Sequence, residues 1–193
     1  MKTKLLLTSA VALSLFAGSA FADSNTVYIS QTGVSEVASV SQTNSGHEAR
    51  ILQQGVIGLA TVSQGAAGGN DNYSTTVQNG NANVAHVTQD AGSDNYAGII
   101  QNGDDNYGEI SQDGDLNLAE IFQTPDTATL NHAVISQTGN NNEGQVTQNG
   151  SFGVADISQG GDNNFADVLQ TGDLNVSTVL QPGSGNTSTV VQN

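Results

Sequence analysis

No cysteine or tryptophan occurs in the 193-residue chain, proline occurs twice, and basic residues number three against eighteen carboxylates. Without cysteine there is no disulfide framework, no thiolate nucleophile and no zinc–thiolate centre. With five phenylalanines and four tyrosines, an ordinary layered core of large side chains is hard to build. Long apolar runs are also missing. The one from Leu5 to Phe16 follows Lys2 and Lys4 and ends near Ala20-Phe21-Ala22, well short of the roughly 20 residues a membrane span needs. Residues 1–22 therefore read as a secretory signal peptide and 23–193 as the mature domain, with no membrane span after cleavage. Removing the leader leaves Arg50 alone against eighteen acids, a formal charge of 1 − 18 = −17. That balance excludes nucleic acid and anionic membrane as partners and favours cations.

Glycine, asparagine and glutamine are abundant instead, and they recur with a period. Gln31, Gln42, Gln53, Gln64, Gln78, Gln89, Gln101, Gln112, Gln123, Gln137, Gln148, Gln159, Gln170, Gln181 and Gln192 close fifteen units, and eleven of the fourteen intervals are eleven residues long. One interval of twelve and two of fourteen place their extra residues in turns, where insertions cost little. Counting back from each glutamine, the second position is Ile29, Val40, Ile51, Val62, Val87, Ile99, Ile110, Ile121, Ile135, Val146, Ile157, Val168, Val179 and Val190, with Thr76 the exception. The fourth is Ala, Gly or Ser in all units but the first, which has Val27. The sixth is asparagine in eleven units: Asn25, Asn72, Asn83, Asn95, Asn106, Asn117, Asn131, Asn142, Asn164, Asn175 and Asn186. Positions of one parity share a face of a strand. One face is thus specified tightly and the other loosely, as for a strand packed inward on one side.

Ten of the fourteen turns have glycine two residues after the glutamine, which predicts reversals at positive φ. A strand of about seven residues and a turn of about four, repeated, describe an all-β, cross-β solenoid with two strands per coil. Fifteen strands give about 7.5 coils, roughly 35 Å long at about 4.8 Å per rung. Its interior is a thin seam of small residues against Ile and Val, flanked at both ends by stacked amides that supply one another's donors and acceptors.

The pattern in Gln159…Asn164…Gln170, Gln170…Asn175…Gln181 and Gln181…Asn186…Gln192 resembles the curlin repeat of curli, the extracellular amyloid fibre of bacterial biofilms, and it extends from Asn25 to Gln192. The resemblance implies a secreted subunit that polymerises with copies of itself into cell-surface, pilus-like fibres for adhesion and biofilm matrix. It also implies a nucleator subunit, an export pore and chaperones as partners. Unlike the best-known curli subunits, no unit has serine at the sixth position back. Nor does a non-repeat export segment separate the predicted cleavage site from Asn25. The last unit, Thr187 to Gln192, is uncharged, unlike the divergent basic repeat of nucleators, which points to the major subunit.

Self-assembly also follows from the strand edges. The repeats reach nearly to both ends of the sequence without a polar cap, so each end is expected to template another copy. An odd strand count predicts that the next copy completes the last coil and faces the opposite way. Glu36, His47, Gly58 and Gly153 replace the asparagine and are expected to weaken the ladder as gatekeepers. Acids at the third position back, Glu109, Glu120, Asp156 and Asp167, never adjoin one another if alternate units stack.

No catalytic or metal-binding constellation is evident and no cofactor is implied. His47, His86 and His132 fall at three different positions of the unit and read as solvated or turn-edge residues. The turn aspartates lack the nine-residue pattern of calcium-binding β-rolls. Other readings are a nucleator subunit, a monomeric β-solenoid that binds a carbohydrate or ice along one face, and a solenoid enzyme. The residue before each glutamine, read in chain order, runs without the regular threonine array the binding reading needs. Neither long interval carries the His or acidic cluster an enzyme needs.

Overall fold

The computed structural model describes residues 24–124 and 130–193, and the leader lies outside the described residues. Among the described residues fifteen strands follow one another without a helix: β1 Thr26–Val34, β2 Val37–Gln42, β3 Glu48–Val56, β4 Leu59–Gln64, β5 Tyr73–Asn81, β6 Val84–Gln89, β7 Tyr96–Asn102, β8 Tyr107–Asp113, β9 Leu118–Gln123, β10 His132–Thr138, β11 Glu143–Gln148, β12 Val154–Gly160, β13 Phe165–Gln170, β14 Val176–Gln181 and β15 Thr187–Gln192. Odd-numbered strands form an eight-stranded sheet and even-numbered strands a seven-stranded one, each in stacking order. All pairs are parallel, and the register places every unit on the same positions of the unit after next, as in Ile29↔Ile51 and Gln137↔Gln159. The chain is a β-solenoid of about seven turns, two strands to the coil.

The alternation drives this arrangement. Ala38, Ala49, Ala60, Ala85, Ala97, Ala119, Ala133, Ala155 and Ala166 are fully buried in the seam, and the Ile/Val column beside them is buried to within a few per cent of its area, from Ile29 to Val179. Each buried Ile or Val contributes about 1.5–3 kcal/mol over its exposed state. Small residues at the fourth position back let the sheets close on one another. At Gly108 a methyl group would stand 3.1 Å from Ile99 Cγ2 of the opposite sheet.

The expected positive φ is found at six of the ten turn glycines, Gly55, Gly80, Gly103, Gly114, Gly139 and Gly161, but not at Gly33, Gly150, Gly172 or Gly183. Gly33 and Gly150 have ordinary φ; a Cβ on either would overlap the carbonyl oxygen of the glycine one rung on, Gly55 or Gly172. Close stacking of turn on turn, rather than backbone handedness, excludes side chains there. Positive φ falls mainly on the residue just before the sixth position, including the apolar Ile57, Leu116, Leu130, Phe152 and Leu174.

Candidate functional site

Each glutamine ends an inward-facing row, so the parallel register stacks the carboxamides into two columns. In the eight-stranded sheet Nε2 of Gln31 donates to Oε1 of Gln53, and the same bond links Gln53, Gln78, Gln101, Gln123, Gln148, Gln170 and Gln192 in succession at 2.8–2.9 Å. Gln42, Gln64, Gln89, Gln112, Gln137, Gln159 and Gln181 form the matching column, again at 2.8–2.9 Å. All run in one sense, donor toward the later unit. The second N–H crosses the seam to a carbonyl of the other sheet, as from Gln112 to Tyr96 and from Gln170 to Val154, both at 2.9 Å.

The asparagines do different work. Their Nδ2 groups bond turn carbonyls one rung on, as in Asn83 to Gly103 and Asn95 to Gly114 at 2.7 Å. Their Oδ1 atoms accept from the next backbone N–H of the column, as in Asn106 N to Asn83 and Asn117 N to Asn95 at 3.0 and 2.9 Å. Direct Asn–Asn amide bonds, expected throughout from sequence, occur only at some steps of the eight-stranded sheet, such as Asn164 to Asn142 at 3.1 Å. The asparagine column ties strand to turn; the glutamine column ties coil to coil.

Among the four substituted positions, His47 is fully buried rather than solvated. Its backbone N–H donates to Asn25 Oδ1 at 2.9 Å, and its Nδ1 accepts from Asn72 N–H at 3.2 Å. A neutral imidazole with its proton on Nε2 thus takes over the acceptor role of asparagine Oδ1, and burial lowers its pKa. Glu36 is also buried, its pKa raised by desolvation. Its Oε2 points into the space beside Gly58, where a Cβ would stand 3.3 Å from that oxygen and 3.2 Å from Gln53 Nε2. Glycine at 58 therefore makes room for the longer side chain at 36. Gly153 keeps the column's backbone bond, donating to Asn131 Oδ1 at 2.8 Å. Among the described residues, four buried side-chain atoms have no partner, Glu36 Oε2, His47 Nε2, Ser74 Oγ and Thr76 Oγ1, and all fall in units two to five.

Comparison with known families matches the curlin associated repeat at residues 69–103, 103–150, 139–168 and 161–193, together about two thirds of the chain. This chain belongs to the curlin repeat family. Its matched repeats begin just after the three consecutive substitutions Glu36, His47 and Gly58. No curated protein matches the chain. The curlin repeat family is one of structural amyloid subunits, associated with extracellular curli fibres, and the fifteen repeats in a parallel solenoid fit a subunit of that kind.

The curlin repeats expose two unlike faces, a distinction invisible when the units are read one after another. On the seven-stranded sheet the position before the glutamine is Ser41, Ser63, Thr88, Ser111, Ser136 and Ser158 on six successive rungs, with Leu180 on the seventh. On the eight-stranded sheet it is apolar on six of eight rungs, Leu52, Val77, Ile100, Phe122, Leu169 and Val191, with Ser30 and Thr147 the exceptions. The pattern was present in the sequence at a spacing of two units rather than one.

Aromatic residues follow the same stacking. Tyr73 and Tyr96 stack at 5.4 Å, and the Arg50 guanidinium lies 5.4 Å from the Tyr28 ring centroid. On the other face Tyr107 stacks on His132 at 4.7 Å, with His86 edge-on at 5.9 Å. Two histidines that occupy different positions of the unit thus meet one ring. Burial and the 2.5 Å hydrogen bond to Glu109 push the Tyr107 pKa up to about 12. Among the described residues no group of three or more His, Asp and Glu is placed to hold a metal ion, and no helix is long and apolar enough to cross a membrane. The register puts Glu109 between His86 and Val134, and Glu120 between Gly98 and Gln145, so these carboxylates have no charged neighbour of like sign in their columns.

Proposed function

We propose that the protein is a secreted structural subunit, the major one of its kind, that adds end to end into extracellular cross-β fibres for biofilm matrix and surface adhesion. The observation that carries this reading is the single sense of the glutamine columns. In the described chain they begin on the Oε1 side of Gln31 and Gln42 and end on the amide side of Gln181 and Gln192. One end of the stack therefore offers acceptors and the other donors, on edge strands with further backbone groups free to pair. A second copy of the same chain supplies both complements, and the register that repeats within the chain can repeat across the junction. The leader at 1–22 is assigned to export, and a nucleator, an outer-membrane pore and chaperones are the partners the curli-like role requires.

The test is release of residues 23–193 from denaturant, following thioflavin fluorescence with and without sonicated seeds, and fibre diffraction of the product. Seeded growth with reflections near 4.7 and 10 Å is expected. A chain that stays monomeric and β-rich at every concentration overturns the reading.

A further inference from the structure

On the outer face of the eight-stranded sheet, β5 and β7 form an uncharged band between Glu48 and Arg50 of β3 and Glu120 of β9. Tyr73, Thr75 and Val77 on one rung and Tyr96, Gly98 and Ile100 on the next carry no charge. Gly98 is the one outward position at which this face has no side chain, and the Tyr96 ring leans over it, 3.3 Å from where a Cβ would stand. Turn aspartates such as Asp94, Asp104, Asp115 and Asp162 line the two edges, so edge-to-edge approach of two copies is opposed by like charge, which the β5–β7 band of this face lacks.

We propose that this face pairs with the same face of a second copy, about a twofold axis that runs along the strands at the level of Gly98, so that the two stacks lie antiparallel. That operation sets β7 on β7, β5 on β9, and β3 on β11, and it keeps each outward column over itself. Ile100 then meets its own copy, and Val77 meets Phe122 of the second copy. Tyr73 falls on Leu118, and the Thr75 hydroxyl faces the Glu120 carboxylate. With no side chain at Gly98, the Tyr96 ring lies low over the backbone at the axis, which admits close approach.

Charge selects the same arrangement. Arg50 is the only arginine or lysine among the described residues and is exposed on this face. It falls opposite Gln145 of the second copy, whose column neighbours on either side are Glu120 and Asp167. The cation of each copy thus lands between two carboxylates of the other, twice per pair by symmetry. The like pair Glu48 and Glu143 lies at the exposed rim, where water screens it. Seven opposed rungs and strands of six residues give a face of about 34 by 20 Å, so a pair covers roughly 1,300 Å² in total, within the range of specific interfaces. The outer face of the seven-stranded sheet carries no arginine or lysine to pair with its Glu109 and Asp156. A pairing of faces is independent of growth at the strand edges, and it sets how stacks associate side by side.

The absence of native cysteine makes the test direct. Ile100→Cys in the mature chain, treated with a short bifunctional maleimide, is expected to convert to covalent dimer in both soluble and assembled protein. Copies added end to end hold their Ile100 positions about 38 Å apart, beyond the reagent. Ser111→Cys, at mid-height on the opposite sheet, is the control and is expected to stay monomeric. Adding Phe122→Lys, an outward change that spares the seam, is expected to abolish the Ile100→Cys dimer with the β-rich circular dichroism retained. Equal dimer from both cysteine variants, or none from Ile100→Cys, overturns the pairing. Loss of seeded growth with the Ile100→Cys dimer intact would instead sink the fibre reading and leave the pairing standing.

Discussion

Replacing Gln112 by glutamate changes one atom at the centre of the seven-stranded sheet's amide column. The carboxamide accepts from Gln89 Nε2 and donates to Gln137 Oε1 and to the Tyr96 carbonyl, each at 2.9 Å. An ionised carboxylate still accepts from Gln89 but directs lone pairs at two oxygens that it formerly bonded, in a site with only 1% of the residue exposed. No cation is within the column to compensate. A buried charge left without a partner costs about 3–5 kcal/mol. Because coils contact only their neighbours, the loss is expected to concentrate in β6, β8 and β10 and the strand β7 across the seam.

Amide hydrogen exchange at pH 7 should show it as an acceleration of about two to four powers of ten in those strands, fading toward both ends. Acidification should reverse part of it. The site raises the introduced carboxyl's pKa above its ordinary value of about 4.3, so the penalty is absent below that value and grows as pH rises through the raised one. Once protonated, the group donates to one of the two oxygens. Exchange at pH 7 within ten-fold of the unsubstituted protein would refute the reasoning that the columns couple the coils.

Thr76→Val removes a buried hydroxyl without a partner from the column between Ile51 and Ile99. It should stabilise the local coils by about 1–3 kcal/mol, read as slower exchange in β3, β5 and β7, whereas Thr75→Val on the outer face of the same strand should not. Glu36 has its pKa raised by burial, so its contribution to stability is full below the ordinary carboxyl range and is lost as pH rises through the raised value; exchange in β2 and β4 should quicken from mild acid toward neutrality, and Glu36→Gln should remove that dependence. His47, whose pKa burial lowers, acts in the opposite direction. Its contribution is full above the ordinary imidazole value and lost as pH falls through the lowered one, so β3 should loosen in acid and His47→Asn should hold. Gly80→Ala places a Cβ on the Gly103 carbonyl oxygen at φ +117° and should destabilise the turn by several kcal/mol, measurable as a lowered denaturation midpoint.

Periodicity made the coil legible in the sequence because each inward position obeys a rule that holds at every unit: Ile or Val must fill the seam, and glutamine must find another glutamine above and below. Rules that hold at every second unit were harder to see. Ser63 and Val77 look unrelated in chain order, and only the assignment of alternate units to opposite sheets shows them as members of two columns. Legibility failed altogether where two residues compensate. Nothing in the local sequence says that Gly58 is small because Glu36, a rung away, reaches past it. Nor does it say that an imidazole nitrogen at His47 can stand in for an amide oxygen. Gly33 and Gly150, which lack the positive φ of most turn glycines, misled for a related reason, since the clash that forbids a side chain there comes from a residue 22 positions on.

The common sense of the glutamine bonds makes the stack an electrical object as well as a mechanical one. Each carboxamide carries a dipole comparable to that of a peptide unit, about 3.5 D, and thirteen ladder bonds between them point one way along two parallel rails. Dipoles aligned in a low-dielectric seam polarise one another, so each rung strengthens those on either side, and the rails end in partial charges of opposite sign. Like the poles of a bar magnet, those ends remain when pieces are joined in sequence, and lengthening the object renews the field that draws the next piece into line.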